Sequence, residues 1–251
     1  MNHKMFYSFY ENVVNYTKGL IQNLVSSTPY KGKIEKTLFL VVEHTSFFLL
    51  GCVMFLRKNW LYDLSMTWDY EFDWCVYIYY YLYFVRYVVQ IVHIDRNDKD
   101  SNVFWTHHVM TLVLLGFSAF RYTKMGVIIA LSHDISDIFL NAGKVANKIF
   151  EVSNDRRHII LSNIFLSFFV VSWTPTRIIL NFNILNEIYT HKNLTLQTYI
   201  YDVYIDDQIL LPMFFLNLVL QIFWQILIVK FIYNLCIGIQ PKDEKGIEYK
   251  I

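Results

Sequence analysis

A chain of 251 residues that is 55% hydrophobic, 18% aromatic and only 17% charged, with mean hydropathy +0.32, departs from the balance of soluble domains. Its apolar residues arrive in blocks long enough to cross a bilayer, which excludes an ordinary soluble domain and points to an all-α polytopic membrane protein of about six spans. The net charge of +1 gives no electrostatic footprint for nucleic acid, and the three scattered cysteines, Cys52, Cys75 and Cys236, suggest neither a disulfide framework nor a zinc site.

Residues 1–35 mix Phe, Tyr and Leu with Glu11, Asn12, Asn15 and Lys18, a pattern expected of an interfacial amphipathic segment and not of a span or a cleavable signal. The membrane domain is expected over 36–240 and a polar tail over 241–251. The first span reads from Thr37 to Leu56 and carries Glu43-His44, which should face other helices and not lipid. The second, Trp74 to Ile94, opens on a tyrosine-rich stretch suited to an interface or a polar-lined cavity and contains Arg86. The third, Val103 to Phe120, starts with His107-His108, and the fourth, Met125 to Leu140, holds His133-Asp134-Ile135-Ser136-Asp137. The fifth, His158 to Leu180, includes Pro175 as a kink or an end, and the last block, Ile209 to Ile239, has Pro212 where a first helical turn would tolerate it.

Lys and Arg gather in the N-terminal segment, the second and fourth loops and the tail, fourteen there against five in the other loops. The positive-inside rule then puts both termini in the cytoplasm and the sequon Asn193-Leu194-Thr195 on the opposite side.

Spans three and four are joined by only a few residues, Arg121 to Lys124, and are expected to run antiparallel side by side. At about 1.5 Å of rise per residue, His107 and His108 come level with Asp137 and Ile138, and Thr111 with Asp134. Ionisable groups at that depth are costly unless they pair or line a water-accessible cavity. A structural His–Asp network holding the two helices together is the bland alternative, favoured for one such pair but not for this constellation. A histidine oriented by a carboxylate can also act as general base or attack an acyl carbonyl, which makes His107, His108, His133, Asp134 and Asp137 the candidate catalytic residues. A metal site from His107, His108, His133 and Asp137 is the competing chemistry. It is disfavoured, and no metal is expected, because a di-iron enzyme should show several histidine boxes and His3, His44, His93, His158 and His191 form none.

At these residues the chain resembles the ceramide synthases of the TLC-domain membrane proteins. The family pattern of His-His, Thr, Ser, Arg-x-Gly, His-Asp-x-x-Asp and Leu-Glu-x-x-Lys is matched by His107-His108, Thr111, Ser118, Lys124-Met125-Gly126, His133 to Asp137, and Leu140 to Lys144. Upstream, Asp95-Arg96-Asn97-Asp98-Lys99-Asp100 is similar to the family's Asp-x-Lys-Arg-Lys-Asp, and Gln221-Ile222-Phe223-Trp224 to its His-x-Phe-Trp. The chain departs from the pattern at Arg121, Lys124, Asn141 and Gln221, and its interval between histidine clusters is one residue short.

The resemblance implies helices around a lipid-accessible cavity in the endoplasmic reticulum membrane. It further implies transfer of a fatty acyl group from acyl-CoA, a co-substrate with no further cofactor, to the amine of a sphingoid base. Thr111, Ser118, Arg96, Lys99 and Lys144 become candidate substrate-binding residues, the three basic ones on the side where CoA phosphates would arrive. A homodimer or a small membrane subunit is the assembly it implies. The alternative is a non-catalytic TLC-type protein that senses or traffics lipid, since one fold serves many functions.

Overall fold

A backbone in hydrocarbon must satisfy its own polar groups, and for runs of this composition the helix is the direct solution. The computed structural model describes residues 31–68, 72–92, 101–119, 122–195 and 204–237, and no strand occurs among them. Helix α1 spans Lys31–Phe55, α2 Trp74–Val92, α3 Ser101–Ser118, α4 Thr123–Ser153, α5 Arg156–Trp173, α6 Leu180–Thr195 and α7 Tyr204–Cys236. Two short 3-10 turns, Asn59–Leu61 and Leu64–Trp68, follow α1, and a π-helical turn, Thr174–Ile179, separates α5 from α6.

Among the described residues, five stretches are long and apolar enough to cross a membrane: Lys31–Phe55, Trp74–Val92, Thr123–Ser153, Arg156–Thr190 and Leu211–Asn234. The third expected span, Val103 to Phe120, corresponds to α3, whose 18 residues would reach about 27 Å. It is not one of those five, and it carries Asn102 and the histidine pair. Large apolar side chains such as Val53, Val171, Phe182 and Ile226 are exposed along the helices, as befits a multi-pass protein whose solvent is lipid. The expected N-terminal interfacial segment, apart from the residues that begin α1, and the tail 241–251 lie outside the described residues.

Several expected boundaries shift. The first helix begins at Lys31, its early turn bonded by Thr37 Oγ1 to the Lys33 carbonyl at 2.8 Å. The fourth continues past Leu140 to Ser153, with an Asn147–Glu151 side-chain bond of 3.2 Å supporting its polar end. It stops where Asn154 takes a left-handed φ of 52° and Asp155 begins the next helix, its carboxylate accepting the Arg157 N–H at 3.0 Å. Pro175 lies just past the end of α5 at Trp173. It sits in the π turn, a register change that accommodates a residue lacking an N–H, and helix resumes at Leu180. Pro212 lies inside α7, not in its first turn.

The chain divides into two compact units, and the division falls inside helices. The first unit comprises 1–50, 133–173 and 228–251; the second comprises 51–132 and 174–227. In the first, α4 and α5 approach closely at Gly143, where an added Cβ would lie 3.0 Å from the Leu166 side chain, and Ser162 Oγ donates to the Gly143 carbonyl at 2.9 Å. Phe139 stacks on Phe168 at 5.3 Å in the same packing layer.

In the second unit, α2 packs on α3, and the linker that precedes α2 is tied down at both ends. Lys58 pairs with Asp73 at 2.7 Å, Asp73 caps α2 by accepting the Cys75 N–H at 2.9 Å, and Trp68 Nε1 donates to Glu187 on α6 at 3.0 Å. The tyrosine-rich stretch has two faces. Tyr79, Tyr80 and Tyr83 are buried, while Tyr77 and Tyr81 are exposed.

Candidate functional site

The fourth-helix motif lies in the first unit, where His133, Asp134 and Ser136 are buried and Asp137 is partly exposed. Helical spacing alone brings His133 and Asp137 onto one face. Folding adds α1, whose His44 Nδ1 lies 2.6 Å from Asp134 Oδ1 and 4.0 Å from Asp137 Oδ2. An ionised carboxylate only accepts, so the close contact is Nδ1–H donating to Asp134. Asp134 is 1% exposed and His44 12%, so the imidazole is the more accessible member of the pair. Ser136 donates to the His133 carbonyl at 3.0 Å, and Asn141 Nδ2 donates to the Asp137 carbonyl at 2.9 Å, which ties the motif's polar residues to their own helix.

The histidine pair lies in the second unit in a different setting. The rings of Phe55, Tyr79, Tyr83 and Tyr87 succeed one another at centroid distances of 5.3, 5.5 and 5.9 Å. The tyrosines recur at i, i+4 and i+8 and so line one face of α2. Tyr87 then meets His108 edge-on at 5.3 Å, His108 lies 5.6 Å from His107, and His107 meets the Trp224 ring of α7 at 4.9 Å and 80°. Aromatic contacts of this kind hold ring planes in place through edge-to-face attraction. Trp224 belongs to the Gln221-Ile222-Phe223-Trp224 stretch singled out in the sequence, and Gln221 is fully buried on the same helix.

The candidate substrate-binding residues have diverse placements. Thr111 Oγ1 donates to the His107 carbonyl at 2.9 Å, one turn back on α3. Ser118 is buried, bonded to the Leu114 carbonyl and to the Tyr80 hydroxyl. The Tyr80 ring in turn lies where a Cβ on Gly126 would be, 2.5 Å from the nearest ring atom, so the motif's Ser and Gly serve one buried tyrosine. Lys144 is exposed on α4 in the first unit. Arg96 and Lys99 lie outside the described residues. Among the described residues, no group of three His, Cys, Asp or Glu side chains is arranged to hold a metal ion.

His44 is the residue that sequence reasoning left out of the cluster. Its signal was an ionisable pair, Glu43-His44, inside an apolar block, but nothing local named Asp134, 90 residues away, as its partner.

The TLC domain profile matches residues 33–230. The chain is 29% identical over 224 residues to ceramide synthase hyl-1 of Caenorhabditis elegans, covering 81% of this chain and 57% of the relative. It is 29% identical over 166 residues to ceramide synthase LAG1 of Saccharomyces cerevisiae, covering 63% and 38% of the two chains. A shorter stretch of 55 residues is 44% identical to human ceramide synthase 1, covering 22% and 16%. This chain therefore spans just over half of the first relative and well under half of the other two. With the domain match running through all the described helices that carry the histidine and aspartate clusters, the chain belongs to the TLC-domain family of membrane proteins and groups there with proteins named ceramide synthases.

Proposed function

We propose that this protein is a sphingosine N-acyltransferase of the endoplasmic reticulum membrane, with both termini cytoplasmic, that moves a fatty acyl group from acyl-CoA to the amine of a sphingoid base. The observation that carries the reading is the retention of both His107-His108 and His133-Asp134-Asp137 in a chain whose relatives, over 81% of its length in one case, are named ceramide synthases. The reaction breaks the thioester C–S bond, forms an amide C–N bond and releases CoA. One of the paired histidines either accepts the acyl group transiently or removes the amine proton, and Asp134 or Asp137 orients an imidazole and stabilises the charge it acquires. Side chains of both clusters are required, so each should fail separately when altered.

Thr111 and Ser118 contribute polar groups toward the substrate on this reading, while Arg96, Lys99 and Lys144 attract the CoA phosphates. An apolar surround suppresses hydrolysis of the thioester by keeping water away from the carbonyl. No cofactor enters. Assembly as a homodimer or with a small membrane subunit belongs to the same proposal.

The test is mass-spectrometric detection of ceramide from purified protein given dihydrosphingosine and a panel of acyl-CoAs, beside His107→Ala, His108→Ala and Asp137→Asn. Product from the unaltered protein, lost in variants that remain folded, supports the acyltransferase. Intact thioesters across the panel, with folding and any required subunit verified, would replace it with a non-catalytic lipid-binding role.

A further inference from the structure

Within the second unit, the inward stripe of α7 interleaves carboxamides with apolar residues. Phe214, Asn217, Leu218 and Gln221 are buried at i, i+3, i+4 and i+7. Gln221 is 0% exposed, and among the described residues neither its Oε1 nor its Nε2 meets a hydrogen-bond partner. Each of those buried groups carries a desolvation cost that nothing in the fold offsets.

A second carbonyl oxygen shares this setting. Asn181 of α6 donates from Nδ2 to the Arg177 carbonyl at 2.7 Å, and its buried Oδ1 has no partner among the described residues. Thr174 Oγ1, at the head of the π turn, donates to Gln225 Oε1 on α7 at 3.2 Å. Consecutive spans run antiparallel, so counting along both helices from that bond brings Asn181 level with Leu218, within about a turn of Gln221. In the other direction along α7, Trp224 follows Gln221 by about 4.5 Å and lies edge-on to His107 at 4.9 Å. Two carbonyl acceptors and one amide donor, all uncharged, suit a head group that brings N–H and O–H donors and a hydroxyl oxygen that accepts.

We infer that Gln221 is a substrate-binding residue that recognises the amino-alcohol head of the amine substrate. Nε2 donates to a hydroxyl oxygen of the head, while Oε1 and Asn181 Oδ1 accept its O–H and N–H hydrogens. The inference rests on the acyltransferase reading and deepens it, since it holds the head one helical turn from the tryptophan that meets His107. A flexible side chain with no internal hydrogen bond to break can turn its carboxamide toward an arriving head without losing a partner.

Gln221→Leu keeps the bulk and removes both polar atoms. The fold makes no use of the carboxamide, so this variant should melt no lower than the unaltered protein. Its preference for dihydrosphingosine over octadecylamine, which lacks hydroxyls, should fall about 10-fold or more in kcat/KM, chiefly through KM. A lower melting temperature would assign the amide to the fold, and an unchanged preference, or equal loss with both amines, would overturn the site.

Equilibrium binding needs no turnover. Radiolabelled dihydrosphingosine, bound without acyl-CoA to the purified protein in lipid nanodiscs, should resist displacement by octadecylamine in the unaltered protein and yield to it in Gln221→Leu. The same competition profile in both proteins would leave the carboxamide to an ordered water and overturn the inference. Absence of amide product from the unaltered protein with every thioester, with selective binding intact, would overturn the acyltransferase reading alone and leave the head-group site standing.

Discussion

In the first unit an imidazole lies 2.6 Å from a buried carboxylate, whereas in the second two imidazoles lie edge-on to Tyr87 and Trp224 at 5.3 and 4.9 Å. A carboxylate partner determines which nitrogen carries the proton. An aromatic partner fixes the plane of the ring without deciding the tautomer. One residue type thus meets a carboxylate in one place and aromatic rings in the other, although both clusters lie in apolar helices.

The largest effect expected from breaking this contrast is at Asp134. Asp134→Asn keeps the shape but removes the charge that orients His44, and ceramide formation should fall about 10³-fold, within the range typical of lost general acid–base assistance. A loss of less than tenfold would show that the carboxylate matters for packing only. In the second unit the corresponding weak point is packing itself. Gly126→Ala would displace the Tyr80 ring from beside Ser118, and overpacking of that kind should cost about 1–3 kcal/mol in thermal or denaturant unfolding.

Trp224→Leu should have a smaller effect. Loss of the edge contact with His107 removes about 0.5–1.5 kcal/mol, which corresponds to a fall of up to about tenfold in rate if the contact positions the ring for reaction. A fall as large as that at Asp134 would erase the distinction between the two histidine environments.

The smallest effects lie in the connections. Burial pushes the Asp73 carboxyl up, but the Lys58 ammonium and the Cys75 N–H outweigh it and hold the group below its ordinary value. Asp155, in the turn of the first unit, is drawn down to about 2 by the hydrogen bond from the Arg157 guanidinium. Both folded values are depressed, so each contribution is fully present above the ordinary carboxylate value of about 4 and disappears as pH falls through the folded value. Asp73→Ala should cost about 1 kcal/mol through loss of the cap and speed hydrogen exchange at the start of α2 at neutral pH. Lowering the pH of the unaltered protein should bring on the same change there as the Asp73 carboxylate takes up its proton, and should loosen the Asp155 turn at a pH of about 2.

Much of this architecture is legible in one dimension. Blocks of apolar residues announce helices because a bilayer admits few other backbone solutions, and the polar pairs within them stand out because each is costly in hydrocarbon. The motif residues from His107 to Lys144 were likewise visible as a local pattern. Helix ends were less legible: Pro175 suggested a kink or an end and Pro212 a first turn, yet Pro175 lies in a π turn and Pro212 inside a longer helix. A proline's local cost is offset by register changes and neighbours that sequence spacing does not reveal.

Composition and periodicity were sufficient to establish a helical membrane protein and to mark the residues able to do chemistry, since both follow from the cost of exposing polar groups to lipid. Which of those residues meet was another matter. The partner of Asp134 lies 90 residues earlier, the partner of Ser118 is a tyrosine 38 residues earlier, and His107 rests on a tryptophan from α7. Such contacts depend on how helix faces pack, and no local preference along the chain encodes them.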